Sequence, residues 1–165
     1  MWKLWNVGLD PILIINEWRG SCDEWRIILN EMIYTDSEAW KESRILVKLI
    51  YTNLSGFPKD EMFGLLSQIK RSVISIPSNI AEGNGRQHRK DSLQFFYIAR
   101  GSAYELETQL YLSFDLGFLD QTSFDNLLKQ LELVRRLLAG LIKYYKSQIE
   151  KINRPLTTRH STLIQ

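Results

Sequence analysis

Apolar residues recur at the spacing of an α-helix over four long segments, and this periodicity most constrains the fold of the 165-residue chain. The helices predicted from it cover residues 37–54, 58–85, 90–116 and 121–151. Gly117 is predicted to end the third helix and Asp120 to open the fourth. The predicted core residues are Trp40, Leu46, Val47, Ile50, Leu54, Phe63, Leu65, Leu66, Ile69, Val73, Ile76, Ile80, Ala81, Leu93, Phe96, Ala99, Ala103, Leu106, Leu110, either Leu112 or Phe114, Phe124, Leu127, Leu128, Leu131, Val134, Leu138, Leu141, Ile142 and Tyr145. No useful stretch alternates polar and apolar residues as a half-buried β-strand would. Because the links between the helices are short, consecutive helices are expected to pack antiparallel. The sequence therefore predicts an all-α fold, an up-down-up-down four-helix bundle.

Composition changes near the start of this bundle. Residues 1–38 carry three basic and seven acidic residues, whereas the remainder carries eighteen basic and twelve acidic ones. Residues 1–36 are therefore interpreted as an atypical leader, as an extra helix, or as a segment that is not natively translated before Met32. The bundle is assigned to residues 37–152, and residues 153–165 are expected to form a mobile tail.

Several classes of protein are disfavoured by what the chain lacks. Cys22 is the only cysteine, so no intrachain disulfide can form, which fits a reducing compartment. No run approaches the ~18 apolar residues that a membrane span needs. The first residues lack the charge and cleavage pattern of a secretory signal. We expect a cytoplasmic protein that does not bind a membrane.

The stretch around Pro77 is the part of the sequence whose residue types most narrowly determine the local structure. Proline in a helix interior removes one backbone donor and costs about 3 kcal/mol unless the helix bends. Ser75 and Ser78 are expected to bond the backbone groups that are freed, and Asn79 is assigned the same task in preference to a recognition role. Gly83-Asn84-Gly85 tolerates positive φ, which predicts the end of the helix.

A run of small residues, Gly101-Ser102-Ala103, lies in the middle of the third predicted helix. Glycine in a helix interior costs about 1 kcal/mol relative to alanine. Close approach of another helix is the expected compensation. Periodicity leaves open whether that helix belongs to the same chain or to another subunit.

The sequence offers no constellation for nucleophilic catalysis. Ser75, Ser78 and Ser102 have no plausible histidine and carboxylate partners, which an activated serine needs. Gly83-Asn84-Gly85 is not a phosphate-binding loop, because it ends a helix and does not follow a strand. We therefore expect a protein that is not an enzyme and has no catalytic residues.

Three carboxylates in the second and third helices are candidate metal ligands. They are Glu82, Glu105 and Glu107. Di-iron bundles carry Glu-x-x-His on two helices, and neither His88 nor His160 follows a glutamate by three residues. We therefore expect no metal or other cofactor. Ion pairs of Glu82 or Glu105 with Arg71 or Arg100, or across a subunit interface, are the favoured interpretation.

Basic residues concentrate on the second helix, on its link to the third, and on the fourth helix. The second helix and the link are expected to bring their charges to one end of the bundle, and the fourth helix to form a second surface. Several phosphate contacts made together would give strongly salt-dependent binding of nucleic acid. Solvated helix faces would show the same composition, and the two interpretations carry equal weight. The candidate nucleic-acid-binding residues are Lys70, Arg71, Arg86, Arg89, Lys90, Arg100, Arg135 and Arg136.

Two motifs of the chain together resemble those of a known family. The first runs from Ile76 to Gly83, and the second combines Gly101-Ser102-Ala103 with Glu105-Leu106-Glu107. They are similar to signatures of the four-helix-bundle proteins encoded in intervening sequences of bacterial 23S ribosomal RNA genes. The resemblance extends from about Trp40 to Tyr145 and omits residues 1–31. Its signature residues are Pro77, Asn79, Glu82, Gly83, Gly101, Ser102 and Glu105.

The resemblance implies a cytoplasmic bundle that assembles into a homopentameric ring. It also implies kinship with the accessory protein of diversity-generating retroelements, a basic pentameric bundle that associates with a reverse transcriptase and nucleic acid. We therefore expect a non-enzymatic oligomer that binds RNA or DNA through a basic surface. The alternative is a protein-interaction scaffold, or an accessory subunit for a polymerase or reverse transcriptase.

Overall fold

A computed structural model gives the structure of the chain and describes residues 34–153. Four α-helices account for most of this range: α1 (Glu38–Asn53), α2 (Leu65–Asn84), α3 (Arg89–Asp115) and α4 (Gln121–Asn153). Within residues 34–153 there is no β-strand. The prediction of an all-α fold is confirmed, and each helix lies within a few residues of its predicted bounds except at the start of α2.

The four helices pack as a closed ring in cross-section. Helix α1 contacts α2, α2 contacts α3, α3 contacts α4, and α4 contacts α1. Contacts between α2 and α3 pair Ser72 with Gln109 and Ser75 with Ser102, which is an antiparallel arrangement. Helix α4 has 33 residues and α1 only 16, so α4 extends about 25 Å further along the bundle.

All four helices contribute to one hydrophobic core. The phase of each apolar stripe is the one that the sequence predicts, since its central residues are almost fully buried. The predicted core residues that are buried are Leu46, Ile50, Leu54, Ile69, Val73, Ile76, Ile80, Phe96, Ala99, Ala103, Leu106, Leu110, Phe124, Leu127, Leu131, Val134, Leu138 and Ile142.

The start of the second helix differs from the prediction. A short 3₁₀ helix covers Lys59–Phe63, and α2 begins only at Leu65, where Glu61 Oε2 accepts a hydrogen bond from the Leu65 backbone N–H at 2.8 Å. Gly64 breaks the helical phase between the two segments. Phe63, predicted to be buried, is consequently 89% exposed. That prediction was wrong because the α-helical stripe does not extend back through Gly64.

Gly117 and Asp120 form the turn between α3 and α4 as predicted. Gly117 has a φ of 75°, and the Phe118 N–H donates to Ser113 O, so the helix ends in a Schellman motif. The Asp120 carboxylate accepts hydrogen bonds from the backbone N–H and the hydroxyl of Ser123, both at 2.9 Å. These two bonds lower the pKa of the Asp120 carboxyl. Asp120 is therefore the N-cap of α4.

Several predictions fall beyond the described part of the chain. Those for the leader up to residue 33 and for the tail from residue 154 lie outside the described residues. Within residues 34–153, no helix combines the length and the apolar character needed to cross a membrane.

Candidate nucleic-acid interface

The two predicted signature motifs meet along the contact between α2 and α3. The Ser102 hydroxyl donates to Ser75 Oγ at 2.8 Å. Asn79 Nδ2 donates to the same oxygen at 2.9 Å and to the Ser75 carbonyl at 2.8 Å. Asn79 therefore differs from the expectation, because the carbonyl it bonds is not that of Val73, which Pro77 leaves without its usual donor. It connects the two helices through Ser75.

A second set of polar groups extends the contact between α2 and α3 toward the start of α2 and the end of α3. Ser72 Oγ donates to Gln109 Oε1 at 2.7 Å, and Gln109 Nε2 donates to Glu105 Oε1 at 3.2 Å. Arg71 Nη2 lies 2.7 Å from the same carboxylate oxygen, so Arg71–Glu105 is the one formed among the ion pairs that the sequence left open. Glu82 pairs with Arg86, which was not among the predicted partners. No buried side-chain polar atom of the described residues lacks a hydrogen-bond partner. We call this set the polar seam; its members are Arg71, Ser72, Ser75, Asn79, Ser102, Glu105 and Gln109.

Gly83 has a packing role that the sequence did not reveal. A Cβ atom at this position would lie 2.5 Å from Phe96 Cε1 and 3.0 Å from the Ser92 carbonyl oxygen. The end of α2 shows no positive φ, since Gly85 has a φ of −77°. The prediction that these glycines end the helix through positive φ was wrong. Gly83 instead lets α2 and α3 approach closely at their connected ends.

Helix α2 continues through Pro77 without a break. Proline leaves the carbonyl four residues earlier without its usual donor. Ser78 Oγ donates at 2.9 Å to the Ile74 carbonyl, which is one residue past the Val73 carbonyl that Pro77 frees, so Ser78 differs from the expectation. Ser75 differs from the expectation, because its hydroxyl bonds Ser102 and Asn79 instead of the backbone.

Four cations lie at the connected ends of α2 and α3 and on the last turns of α4, and a fifth, Arg100, lies about 16 Å along α3 from its start. Arg86 forms an ion pair with Glu82 and lies over the ring of Phe95, 4.2 Å from its centroid. Arg89 Nη1 donates to Gln148 Oε1 of α4 at 3.0 Å. We call this region the basic end; its cations are Arg86, Arg89, Lys90, Arg100 and Lys146.

Tyr145 holds the same end of the bundle together. Its hydroxyl donates to Asn84 Oδ1 at 3.0 Å, and its ring packs edge-on against Phe96 at 4.8 Å between centroids. Burial raises the pKa of the Tyr145 phenol, an effect that the nearby charge of Arg89 opposes. The Arg89 guanidinium therefore lies close to the junction of α2, α3 and α4.

The structure divides the predicted basic residues among different places. Lys70 lies fourteen residues before the end of α2, about 21 Å along the helix axis from the basic end. Arg71 belongs to the polar seam. Arg135 Nη1 is 2.5 Å from Glu107 Oε1, and both side chains are 29% exposed. The expectation that Lys70 and Arg71 join the link residues at one end was wrong, because they lie near the start of α2.

Three tyrosines on α3 were missed in the sequence. Tyr97, Tyr104 and Tyr111 recur every seven residues, which places them on one side of the helix. Arg100 and Lys146 lie over the ring of Tyr97, with 4.8 and 5.6 Å to its centroid. The seven-residue spacing was the available signal. Tyr104 and Tyr111 are exposed, whereas Tyr97 packs partly against the core. We call them the tyrosine face.

Metal-ligand geometry is not found in the described part of the chain. Residues 34–153 contain no group of three or more histidine, cysteine, aspartate or glutamate side chains that could hold a metal ion. Glu82, Glu105 and Glu107 instead pair with Arg86, Arg71 and Arg135 respectively.

The fold and these surfaces define a class of protein: an all-helical bundle with a basic end and an aromatic face. A family model described as 23S rRNA-intervening sequence protein matches residues 35–140. The chain belongs to this family, as the resemblance implied. A comparison with curated proteins gives no match.

A solved structure supports the same relationship. It is described as a protein of unknown function from the S23 ribosomal protein family of Bacteroides thetaiotaomicron. The two chains are 26% identical with a TM-score of 0.58, over 64% of this chain and 98% of the other.

Proposed function

We propose that this protein is a non-enzymatic, homo-oligomeric bundle of the cytoplasm that binds RNA or other nucleic acid through its basic end. The observation that carries the proposal is the convergence of cations from the α2–α3 turn, from α3 and from α4. The partners of Arg89, Arg100 and Lys146 are a neutral amide and an aromatic ring. Their positive charges therefore remain available to phosphate groups.

The proposal is tested by reversing two charges at the turn. Arg86→Glu combined with Arg89→Glu is expected to weaken binding to a mixed-sequence RNA and to flatten its dependence on salt. Each phosphate contact contributes about 0.9 to the slope of log K against log salt for duplex DNA and about 0.7 for single strands. Fluorescence anisotropy at several salt concentrations measures that slope.

Lys48→Glu combined with Lys59→Glu is the charge-matched control. Both lysines are exposed and lie in or near the other half of the bundle, on α1 and on the 3₁₀ helix before α2. The control should retain the wild-type slope. Unchanged affinity in the arginine double variant would argue against the basic end as the binding surface.

A second candidate function is favoured by apolar residues at the opposite end. Phe57 and Phe118 pack at 5.3 Å between centroids and bring the α1–α2 link next to the α3–α4 turn. Phe63, Met62 and Leu116 at this end are more than half exposed. Exposed apolar groups of this size are typical of protein interaction sites. They support the alternative of a scaffold or accessory subunit for a polymerase or reverse transcriptase.

We propose the homopentamer on the family resemblance, with the exposed apolar end as support for self-association. Light scattering at low and high salt, with and without nuclease, measures the mass of the assembly. A pentamer that loses nuclease-sensitive material at high salt is the expected result. A monomer under all conditions would contradict the assembly, and a pentamer without nucleic acid would favour the scaffold.

A further inference from the structure

The tyrosine face has features that phosphate binding alone does not require. Tyr97, Tyr104 and Tyr111 follow one another at about 10.5 Å along α3. Tyr104 and Tyr111 are each 49% exposed, and Tyr97 is half-buried. Tyr97 packs partly against the core and Tyr111 packs edge-on against Phe124, so the ring of Tyr104 is the planar surface that is offered to a ligand with planar groups of its own.

Cations accompany the first two rings. Arg100 and Lys146 lie beside Tyr97, and Arg135 lies over Tyr104 with 4.4 Å to its centroid. These side chains come from both α3 and α4, so the positive charge lines the groove between the two helices. A ligand of this surface would combine aromatic planes with negative charge.

Gly101 lies on α3 between Tyr97 and Tyr104. An added Cβ atom there would meet no atom within 4 Å, and the residue is exposed. The predicted compensation by a closely packed helix is therefore absent within the described chain. Glycine also lets a ligand approach the backbone closely. The missing side chain leaves a notch between the two rings.

We propose that this notch binds an unpaired nucleotide of a single-stranded nucleic acid. The base would stack on the exposed ring of Tyr104, and the phosphates would face Arg100 and Lys146, which lie over the ring of Tyr97. In a duplex the base faces are already stacked on one another, whereas unpaired bases are free to stack on aromatic rings. This inference rests on the proposed nucleic-acid binding and specifies the class of ligand.

Charge argues against a contact of this surface with the same surface of a second copy; a cyclic ring instead joins different faces of neighbouring copies, and the molecular mass of Gly101→Leu tests that case. Two copies meeting through the same face would bring Arg100, Arg135 and Lys146 against their equivalents, and only Arg135 has an acidic partner here. A polyanion instead complements these cations. The same charges favour a nucleic acid over an apolar partner segment.

The test compares single strands with duplexes of the same sequence. Labelled RNA and DNA oligonucleotides of about 12 nucleotides are titrated with the full chain, and fluorescence anisotropy measures affinity. Wild-type protein should bind the single strand more tightly. Tyr104→Ala should weaken single-strand binding by about 5- to 100-fold, the range for loss of one stacked base. Tyr104→Phe should retain most of the affinity, because it keeps the ring.

Gly101→Leu tests the notch itself. Leucine is a good helix former and has open space at this position, so the variant should fold and bind single strands weakly. Tyr51→Ala is the matched control, since Tyr51 is 46% exposed and lies near Lys70 on a different surface. Its affinity should equal that of the wild type.

The outcomes separate this inference from the proposed function. Equal affinity for single strand and duplex, together with unchanged affinity of Tyr104→Ala, would overturn the stacking site. If that binding still weakened with salt, the basic end would remain supported as the nucleic-acid surface. A change in molecular mass caused by Gly101→Leu would also overturn it, because the notch would then be an interface between copies. Absence of any salt-dependent binding would overturn both proposals.

Discussion

Helix α3 has two flanks of opposite character. On the flank facing α2, the polar seam joins Ser75, Ser102 and Gln109 in hydrogen bonds between protein groups. On the flank facing α4, Tyr97 and Tyr104 remain partly exposed, with cations beside their rings. The polar groups of the first flank bond other groups of the protein, whereas the second flank leaves positive charge and aromatic surface exposed to a ligand.

This difference separates the family signature from the proposed binding surface. Asn79, Ser102 and Glu105 are signature residues, and all three form hydrogen bonds or ion pairs across the polar seam or along it. Gly83 belongs to the same contact through its approach to Phe96. The motifs that identify the family therefore specify how α2 and α3 pack. Of the signature residues, Gly101 alone lies beside the tyrosine face.

The largest expected effect concerns the close approach of α2 and α3. Gly83→Val places side-chain atoms within the space of Phe96 and Ser92, so we expect the free energy of unfolding to fall by about 3 kcal/mol. Chemical denaturation followed by circular dichroism measures it. Adding Phe96→Leu should recover part of the loss. Unchanged stability of Gly83→Val would contradict the tight contact.

Loss of a seam residue should have a smaller effect on stability. Gln109→Ala removes two hydrogen bonds, one from the buried Ser72 hydroxyl and one to Glu105, at an expected cost of about 2 kcal/mol. The Ser72 hydroxyl keeps the Ile69 carbonyl as an acceptor. Thr108→Ala, at the neighbouring exposed position, should change stability by less than about 0.5 kcal/mol. The same denaturation experiment compares them. An equal loss of unfolding free energy in the two variants would contradict the claim that the polar seam contributes more to stability than an exposed position does.

Replacement of Gly101 should act in the opposite direction. Gly101→Ala fills open space in a helix interior, and we expect it to stabilise the protein by about 1 kcal/mol. Gly140→Ala is the control on α4, where an added Cβ also meets nothing within 4 Å. Both variants should gain stability, and only Gly101→Ala should lose affinity for single strands. Destabilisation by Gly101→Ala would indicate a packing contact in the assembly.

The smallest expected effect lies outside both flanks, at the N-cap of α4. The hydrogen bonds from Ser123 lower the pKa of Asp120 in the folded protein, so this stabilisation is present above the ordinary aspartate value of about 4. It is lost as pH falls through the lowered pKa. Melting temperatures of wild type and Asp120→Asn should therefore converge below about pH 4. A constant difference down to pH 2 would exclude this titration.

The sequence predicted the fold well because helical periodicity is a local property. Leu46, Ile69, Leu106 and Leu138 are buried as their spacing required. The failure at Phe63 came from a local break at Gly64 that periodicity does not register. Asp120 and Gly117 were correctly placed because caps depend on residues close in sequence.

The candidate site was less predictable because it depends on distances between helices. Lys146 and Tyr97 are separated by 49 positions in the sequence, yet they are in contact. Gly83 looked like a helix-ending residue until Phe96 was located beside it. Gly101 looked like a packing position until no neighbour was found near it. Charge and glycine content are visible in a sequence, but their partners are set by the packing of α3 against α2 and α4.

The most direct test of the two-flank account measures two properties of two variants. Stability and single-strand affinity are determined for Gln109→Ala and Tyr104→Ala under the same low-salt conditions. The account predicts that Gln109→Ala loses stability and keeps its affinity, and that Tyr104→Ala loses affinity and keeps its stability. The reverse pattern, or full affinity in Tyr104→Ala, would contradict the assignment of binding to the tyrosine face.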